Sequence, residues 1–137
     1  MKVNLLSAAW SAVEAHACRS YPNEACGVLL GRSGDPGEIL EAHPCANVNA
    51  ERSRDRYLID PHEQMRIEKD GRLRSFDVVG YYHSHPGHPA QASVTDLEHS
   101  WEDFLYLIVS VRDGKAVERR VWRRAHGTRG FSEVGLL

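Results

Sequence analysis

Residues 104–111 read Phe-Leu-Tyr-Leu-Ile-Val-Ser-Val, and after Arg112 comes Asp113-Gly114. This is the most apolar stretch of the chain, and it is far shorter than the ~20 apolar residues that span a bilayer. A run of this length, rich in β-branched and aromatic residues and closed by a turn pair, is predicted as a buried strand entering a hairpin. Ala25 to Leu30, closed by Gly31, is a second such run. Buried strands need covering layers, and the rest of the chain supplies them.

Leu5, Ala8, Ala9, Ala12, Val13 and Ala17 recur at helical spacing, which predicts an amphipathic helix over 4–19, ended by Pro22. Gly31 to Gly37 is a turn, and Glu38 to Cys45 a returning strand. Residues 46–56 are polar and are predicted as an exposed, mobile loop. Tyr57 to Ile59 is a short strand. Asp60 then caps a helix that opens with Pro61 and stops at Asp70-Gly71. Val78 to His83 is a strand, Thr95 to Trp101 a helix, Lys115 to Arg124 a strand, and Phe131 to Val134 a last short strand. This order predicts a single α/β domain over residues 1–137, with a central mixed β-sheet flanked by helices.

Of the 137 residues, 42% are hydrophobic and 26% charged, which excludes collagen-like, disordered and disulfide-scaffold chains. The formal net charge of −2 gives no argument for nucleic acid or membrane partners. Three cysteines, at 18, 26 and 45, form no Cys-x-x-Cys and are read as mostly buried thiols of a reducing compartment. Asn4, Ser7, Ser11, Glu14 and His16 interrupt the N-terminal apolar stretch, so it is not read as an export signal, and a cytoplasmic location is expected.

The chemistry concentrates at 83–96. His83 and His85 are two apart at the end of a predicted strand, so both imidazoles leave the same face. Pro86 stops the strand there. Asp96 follows at a helix start, and the intervening loop is long enough to return its carboxylate to the imidazoles. Two histidines and a carboxylate form a catalytic zinc set that keeps one position open for water, whose pKa zinc lowers to about 7. Amide hydrolysis further needs a carboxylate base and an oxyanion donor. Spacing does not name these two groups. Glu24, beside the first buried strand, is a candidate base, and Ser93, just before Asp96, a candidate donor.

His83-Ser84-His85-Pro86, followed by Ser93 and Asp96, resembles the signature of the JAMM (MPN-plus) metalloprotease family. Pro22-Asn23-Glu24-Ala25-Cys26-Gly27 is similar to the segment that carries the family's upstream glutamate. The resemblance implies a cytidine-deaminase-like fold. It also implies one zinc held by His83, His85 and Asp96, with Glu24 as general base and acid and Ser93 supporting the oxyanion. The run from Tyr82 to Ala90, with Thr95, Asp96 and Trp101, is similar to the small bacterial branch associated with ubiquitin-like sulfur carriers. The implied partner is a ubiquitin-like or sulfur-carrier protein cleaved after a C-terminal Gly-Gly. Ala92 and Gly87 depart from the family pattern within the 86–92 loop.

Plainer readings stand beside these. Ser93 and Asp96 fit a helix capping box without any metal. Glu24 fits a surface charge, His88 and His99 fit surface histidines, and Cys26 fits a buried thiol. Arg119, Arg120, Arg123 and Arg124 fit a solvated edge strand or a docking patch. The 46–56 loop is a candidate cover for an extended tail that pairs with a sheet edge. The functional alternative is a non-catalytic MPN-type scaffold. A zinc nucleobase deaminase would need His-x-Glu and Pro-Cys-x-x-Cys, which are absent.

Overall fold

The computed structural model describes Met1–Leu137. Its elements in chain order are β1 (Lys2–Leu5), α1 (Ser7–Ser20), β2 (Cys26–Arg32), β3 (Gly37–Cys45), α2 (Pro61–Leu73), β4 (Asp77–Pro86), α3 (Val94–Glu98), β5 (Leu105–Arg112), β6 (Lys115–Arg123) and β7 (Ser132–Leu136). The strands form one mixed sheet in the order β1-β3-β2-β4-β5-β6-β7, closed into a barrel by parallel pairing of β1 with β7. The expected mixed α/β architecture is present, and the closure is the new feature.

Both apolar runs are strands, and β2 and β5 are buried along nearly their whole length. Leu29 of β2 packs with Ala9, Val13 and Ala17 of α1 and with Leu105, Leu107 and Val109 of β5. Val28 and Leu30, on the opposite face of β2, pack with Ile67 of α2. Helices therefore cover both faces of the strand. This is why its sequence is continuously apolar rather than alternating.

Several boundaries shift for physical reasons. Residues 2–5 form a strand, so the helix expected from residue 4 begins only at Ser7. Four residues are too few for a period, and their place is set by pairing with β3 from Val3↔Gly37 to Leu5↔Ile39. Residues 57–59 contribute only the single bridge Asn47↔Ile59. Helix α2 begins as expected, with the Asp60 side chain accepting from the His62 amide, but it runs through Asp70-Gly71 to Leu73. Gly71 is not a stop: a Cβ there would lie 3.0 Å from Leu30 Cδ1, so its missing side chain lets the helix approach β2. Helix α3 is one short turn, and Trp101 lies beyond it. β6 is not an edge strand, because β5 and β7 flank it. Its arginines are engaged: Arg119 lies over the Trp10 ring, Arg120 pairs with Glu118 and Glu133, and Arg123 pairs with Asp103, while Arg124 just beyond the strand pairs with Glu102. The hairpin at Asp113-Gly114 is as expected, with φ values of 51° and 77°.

The β4–β5 ladder runs parallel from Gly80↔Leu105 to Pro86↔Val111 and sets the height of the histidines. A Cβ at Gly80 would lie 2.0 Å from the Leu105 carbonyl oxygen, which is backbone and cannot swing aside. Gly80→Ala should therefore destabilise the fold by about 3 kcal/mol, from overpacking and loss of ladder geometry. Chemical denaturation measures this, and a loss below about 0.5 kcal/mol, the size of an inert surface change, would contradict it.

Candidate metal and hydrolytic site

His83 and His85 leave the same face of β4, with ring centroids 5.0 Å apart and Nε2 atoms 3.1 Å apart. Asp96 of α3 returns to them as the spacing predicts: Oδ1 lies 3.0 Å from His83 Nε2 and Oδ2 lies 3.2 Å from His85 Nε2. The three residues form a group that could hold a metal ion. His85 Nδ1 donates to the Pro89 carbonyl at 2.8 Å, so Nε2, the nitrogen that faces Asp96 and His83, is the one that offers a metal a lone pair when the ring is neutral and donates to Asp96 when it is protonated. Such a donor set suits a divalent cation. His83 is supported differently. Its ring is fully buried and stacks on Tyr57 at 4.5 Å, and its Nδ1 has no hydrogen-bond partner.

Opposing influences act on these groups. Burial works to raise the Asp96 carboxyl, but the hydrogen bonds with His83 and His85 outweigh it and hold the group well below the usual carboxylate range. Burial pushes His83 down against the pull of Asp96. For His85 burial acts the same way, but Asp96 and the Pro89 carbonyl prevail and the net shift is upward.

Asp96 is also a cap. Ser93 Oγ accepts from the Asp96 amide at 3.0 Å, and Asp96 Oδ2 accepts from the Ser93 amide at 2.8 Å. The capping box and the imidazole contacts coexist, and the box fixes the carboxylate where the histidines meet it.

Glu24 comes from the other side. β2 runs antiparallel to β4 with Cys26 opposite His83, which brings the start of β2 beside the end of β4. The Ala25 amide donates to Ser84 Oγ at 2.8 Å, and the Ser84 amide donates to the Ala25 carbonyl at 3.0 Å. Glu24 is only 6% exposed, so it is not a surface charge. Burial pushes its carboxyl up to about 8, partly offset by His85 and reinforced by Asp96.

The 46–56 segment is mostly exposed, as expected, yet it is anchored at Glu24. The Glu24 amide donates to the Ser53 carbonyl at 2.7 Å. Asn47 Nδ2 donates to the carbonyls of Glu24 and Arg56, and Asn47 Oδ1 accepts from the amides of Asn49 and Leu58. The segment lines two clefts. One, of about 490 Å³, is lined by Glu24, Asp96, Tyr57, His99 and Trp101; the other, of about 570 Å³, by Pro22, Arg52, Arg54, Gly87 and His88. Barrel closure removes the free sheet edge with which a tail was expected to pair. Sequence reasoning missed Asn47, Tyr57 and the Pro89 carbonyl. Only Ser84, set between two histidines on a strand, carried a visible signal.

Residues 6–125 match the family model described as prokaryotic homologs of the JAB domain. The chain belongs to this family. A desampylase of Haloferax volcanii is 44% identical over 65% of this chain and 63% of its own length, so the match spans less than two thirds of that relative. A CysO-cysteine peptidase of Mycobacterium tuberculosis is 38% identical over 85% of this prokaryotic JAB chain and 79% of its own length. A protein of Desulfitobacterium hafniense solved in solution superposes with a TM-score of 0.83 at 30% identity, covering 98% of this chain and 91% of that one. The expected JAMM-type kinship thus holds across most of this JAB chain.

Proposed function

We propose that this chain is a zinc-dependent peptidase of the JAMM type. In this reading it hydrolyses the amide bond after the C-terminal Gly-Gly of a ubiquitin-like or sulfur-carrier protein. It works as one cytidine-deaminase-like domain over residues 1–137 in the cytoplasm. The observation that carries the reading is the convergence of His83, His85 and Asp96 next to the buried carboxyl of Glu24. Relatives named desampylase and CysO-cysteine peptidase support the substrate class. The free thiols of Cys18, Cys26 and Cys45 support a reducing compartment.

His83, His85 and Asp96 would hold the zinc, which when bound supplies Lewis acidity and a nucleophile at neutral pH. Glu24 takes the proton of the attacking water and passes it to the leaving amine. A carboxyl raised to about 8 by burial is suited to both tasks near neutral pH. Ser93 Oγ uses a lone pair on the Asp96 amide and keeps its hydroxyl proton free to donate to the developing oxyanion. The cleft walled by Tyr57 and Trp101 receives the substrate beside Glu24 and Asp96. No observation favours the scaffold reading; the grouping of His83, His85 and Asp96, with Glu24 lining the same cleft as Asp96, supports the hydrolytic one.

The test is metal content of the purified protein together with cleavage of a carrier extended beyond its Gly-Gly, with and without a chelator. About one zinc per chain and chelator-sensitive cleavage after the second glycine are expected. Absence of zinc at neutral pH would reject the reading.

A further inference from the structure

We propose that Trp122 and Glu118 are positioning residues for His85, acting through the backbone of Ala90 and Pro89. This rests on the metal-binding part of the proposed function and not on its substrate.

Residues 87–90 follow β4 and lie against β5 and β6, tied down at four points. The Gly87 amide donates to the Val111 carbonyl at 2.8 Å. The buried Ser110 hydroxyl donates to the His88 carbonyl. The Ala90 amide donates to Glu118 Oε1 at 2.8 Å, and the Ala90 carbonyl accepts from Trp122 Nε1 at 3.0 Å. Both backbone groups of Ala90 are thereby held by side chains of one strand, and its methyl is fully buried among Tyr106, Ile108 and Trp122. Pro89 sits between the two tethered carbonyls, and its own carbonyl takes the proton of His85 Nδ1 at 2.8 Å.

The sheet register makes this arrangement. His85 pairs with Ser110, and Ser110 with Glu118, while Tyr106 pairs with Trp122. The clamp side chains therefore rise on the face that carries the ligand histidines. Ser110 interrupts an otherwise apolar strand to do this.

A hydrogen bond to the second ring nitrogen fixes the tautomer and orientation of a metal-ligating imidazole, and losing such a partner typically weakens metal binding about 10–100-fold. A carbonyl can set a ring only if it stays put itself. Trp122 and Glu118 keep it in place. His83 lacks any comparable support, because its Nδ1 has no partner. The polar orientation of the ligand pair thus falls on His85 alone.

The test measures zinc affinity by competition with a chromogenic chelator, and the visible spectrum of the cobalt-substituted protein, for the full chain. Trp122→Phe keeps an aromatic ring and removes the donor, and Glu118→Ala removes the acceptor. Each should weaken zinc binding about 10–100-fold and shift the cobalt bands. Glu118→Gln keeps an acceptor oxygen for the Ala90 amide and should bind zinc nearly as the unmodified protein does. If Trp122→Phe fails to fold, the comparison of Glu118→Ala with Glu118→Gln decides. Unchanged affinity and spectrum in folded variants would overturn the proposal, as would a Glu118→Gln loss equal to that of Glu118→Ala. A lower unfolding temperature with an unchanged cobalt spectrum would also overturn it, by showing a purely structural role. Zinc is read directly, so a chain that binds zinc but cleaves no carrier refutes the substrate, while the zinc affinities of the variants still decide the roles of Trp122 and Glu118. A chain that binds no zinc overturns both.

Discussion

Glu24→Gln should abolish carrier cleavage while leaving zinc bound. Glutamine preserves the shape of the side chain and cannot accept the proton of the attacking water. Removing a positioned base costs about 10²–10⁴ in kcat. His83, His85 and Asp96 are unaltered, so metal content should match that of the unmodified protein. Cleavage at an undiminished rate would remove Glu24 from the mechanism.

The same substitution should stabilise the chelator-stripped fold. The Glu24 carboxyl moves from 4.5 when unfolded to about 8 when folded, mainly because burial disfavours its charge. A group raised in this way gives its full stabilisation below about pH 4.5 and loses it as the pH climbs to about 8. At pH 7 the burden is on the order of 3 kcal/mol, and a neutral amide does not carry it. Stripped Glu24→Gln should therefore unfold at higher temperature than the unmodified protein at pH 8, with the gap closing toward pH 4.5. Bound zinc favours the carboxylate and should shrink the gap. A base that costs stability in the stripped fold is what a site built for proton transfer predicts.

The second large effect is expected at Asp96, where two roles meet and can be separated. Asp96→Ala removes both the carboxylate that faces the imidazoles and half of the capping box with Ser93. Zinc binding should fall by more than the about 100-fold typical of losing an outer partner, and cleavage should disappear with it. Loss of the cap adds about 1 kcal/mol of destabilisation. Asp96→Asn keeps an oxygen for the Ser93 amide and removes the charge. It should lose zinc nearly as severely as alanine while retaining most of the stability, as read by chelator competition and thermal unfolding. Full zinc binding by Asp96→Asn would return this residue to a plain helix cap.

What can be read in the chain alone follows from which forces are local. His83 and His85 share a face because strands alternate, and this needs no knowledge of neighbours. Asp60 and Pro61, the Ser93–Asp96 box, and the Asp113-Gly114 turn are equally local. The barrel closure is not readable there, because β1 has four residues and its place depends on β3 and β7. Gly71 resembles a helix stop, since only the packed structure shows Leu30 against it. The supports of the site are hidden for the same reason. Tyr57 and Asn47 lie in an irregular polar segment, and Trp122 meets Ala90 only after three strands have found their register. The groups proposed to carry the reaction are legible, and the groups that hold them still are mostly not.

The closing seam of the barrel has a consequence for how the molecule breathes. β1 and β7 share only two paired positions, whereas β4 and β5 share seven. Sub-global opening starts where the fewest bonds hold, so the seam should part well before the middle of the sheet does. The histidines sit on β4, whose neighbours β2 and β5 are the two most buried strands, away from that seam in the strand order. Amides of β1 and β7 would then trade protons with solvent through partial openings, while those around His83 and His85 wait for complete unfolding. Breathing is thus expected on a side of the molecule away from the proposed site.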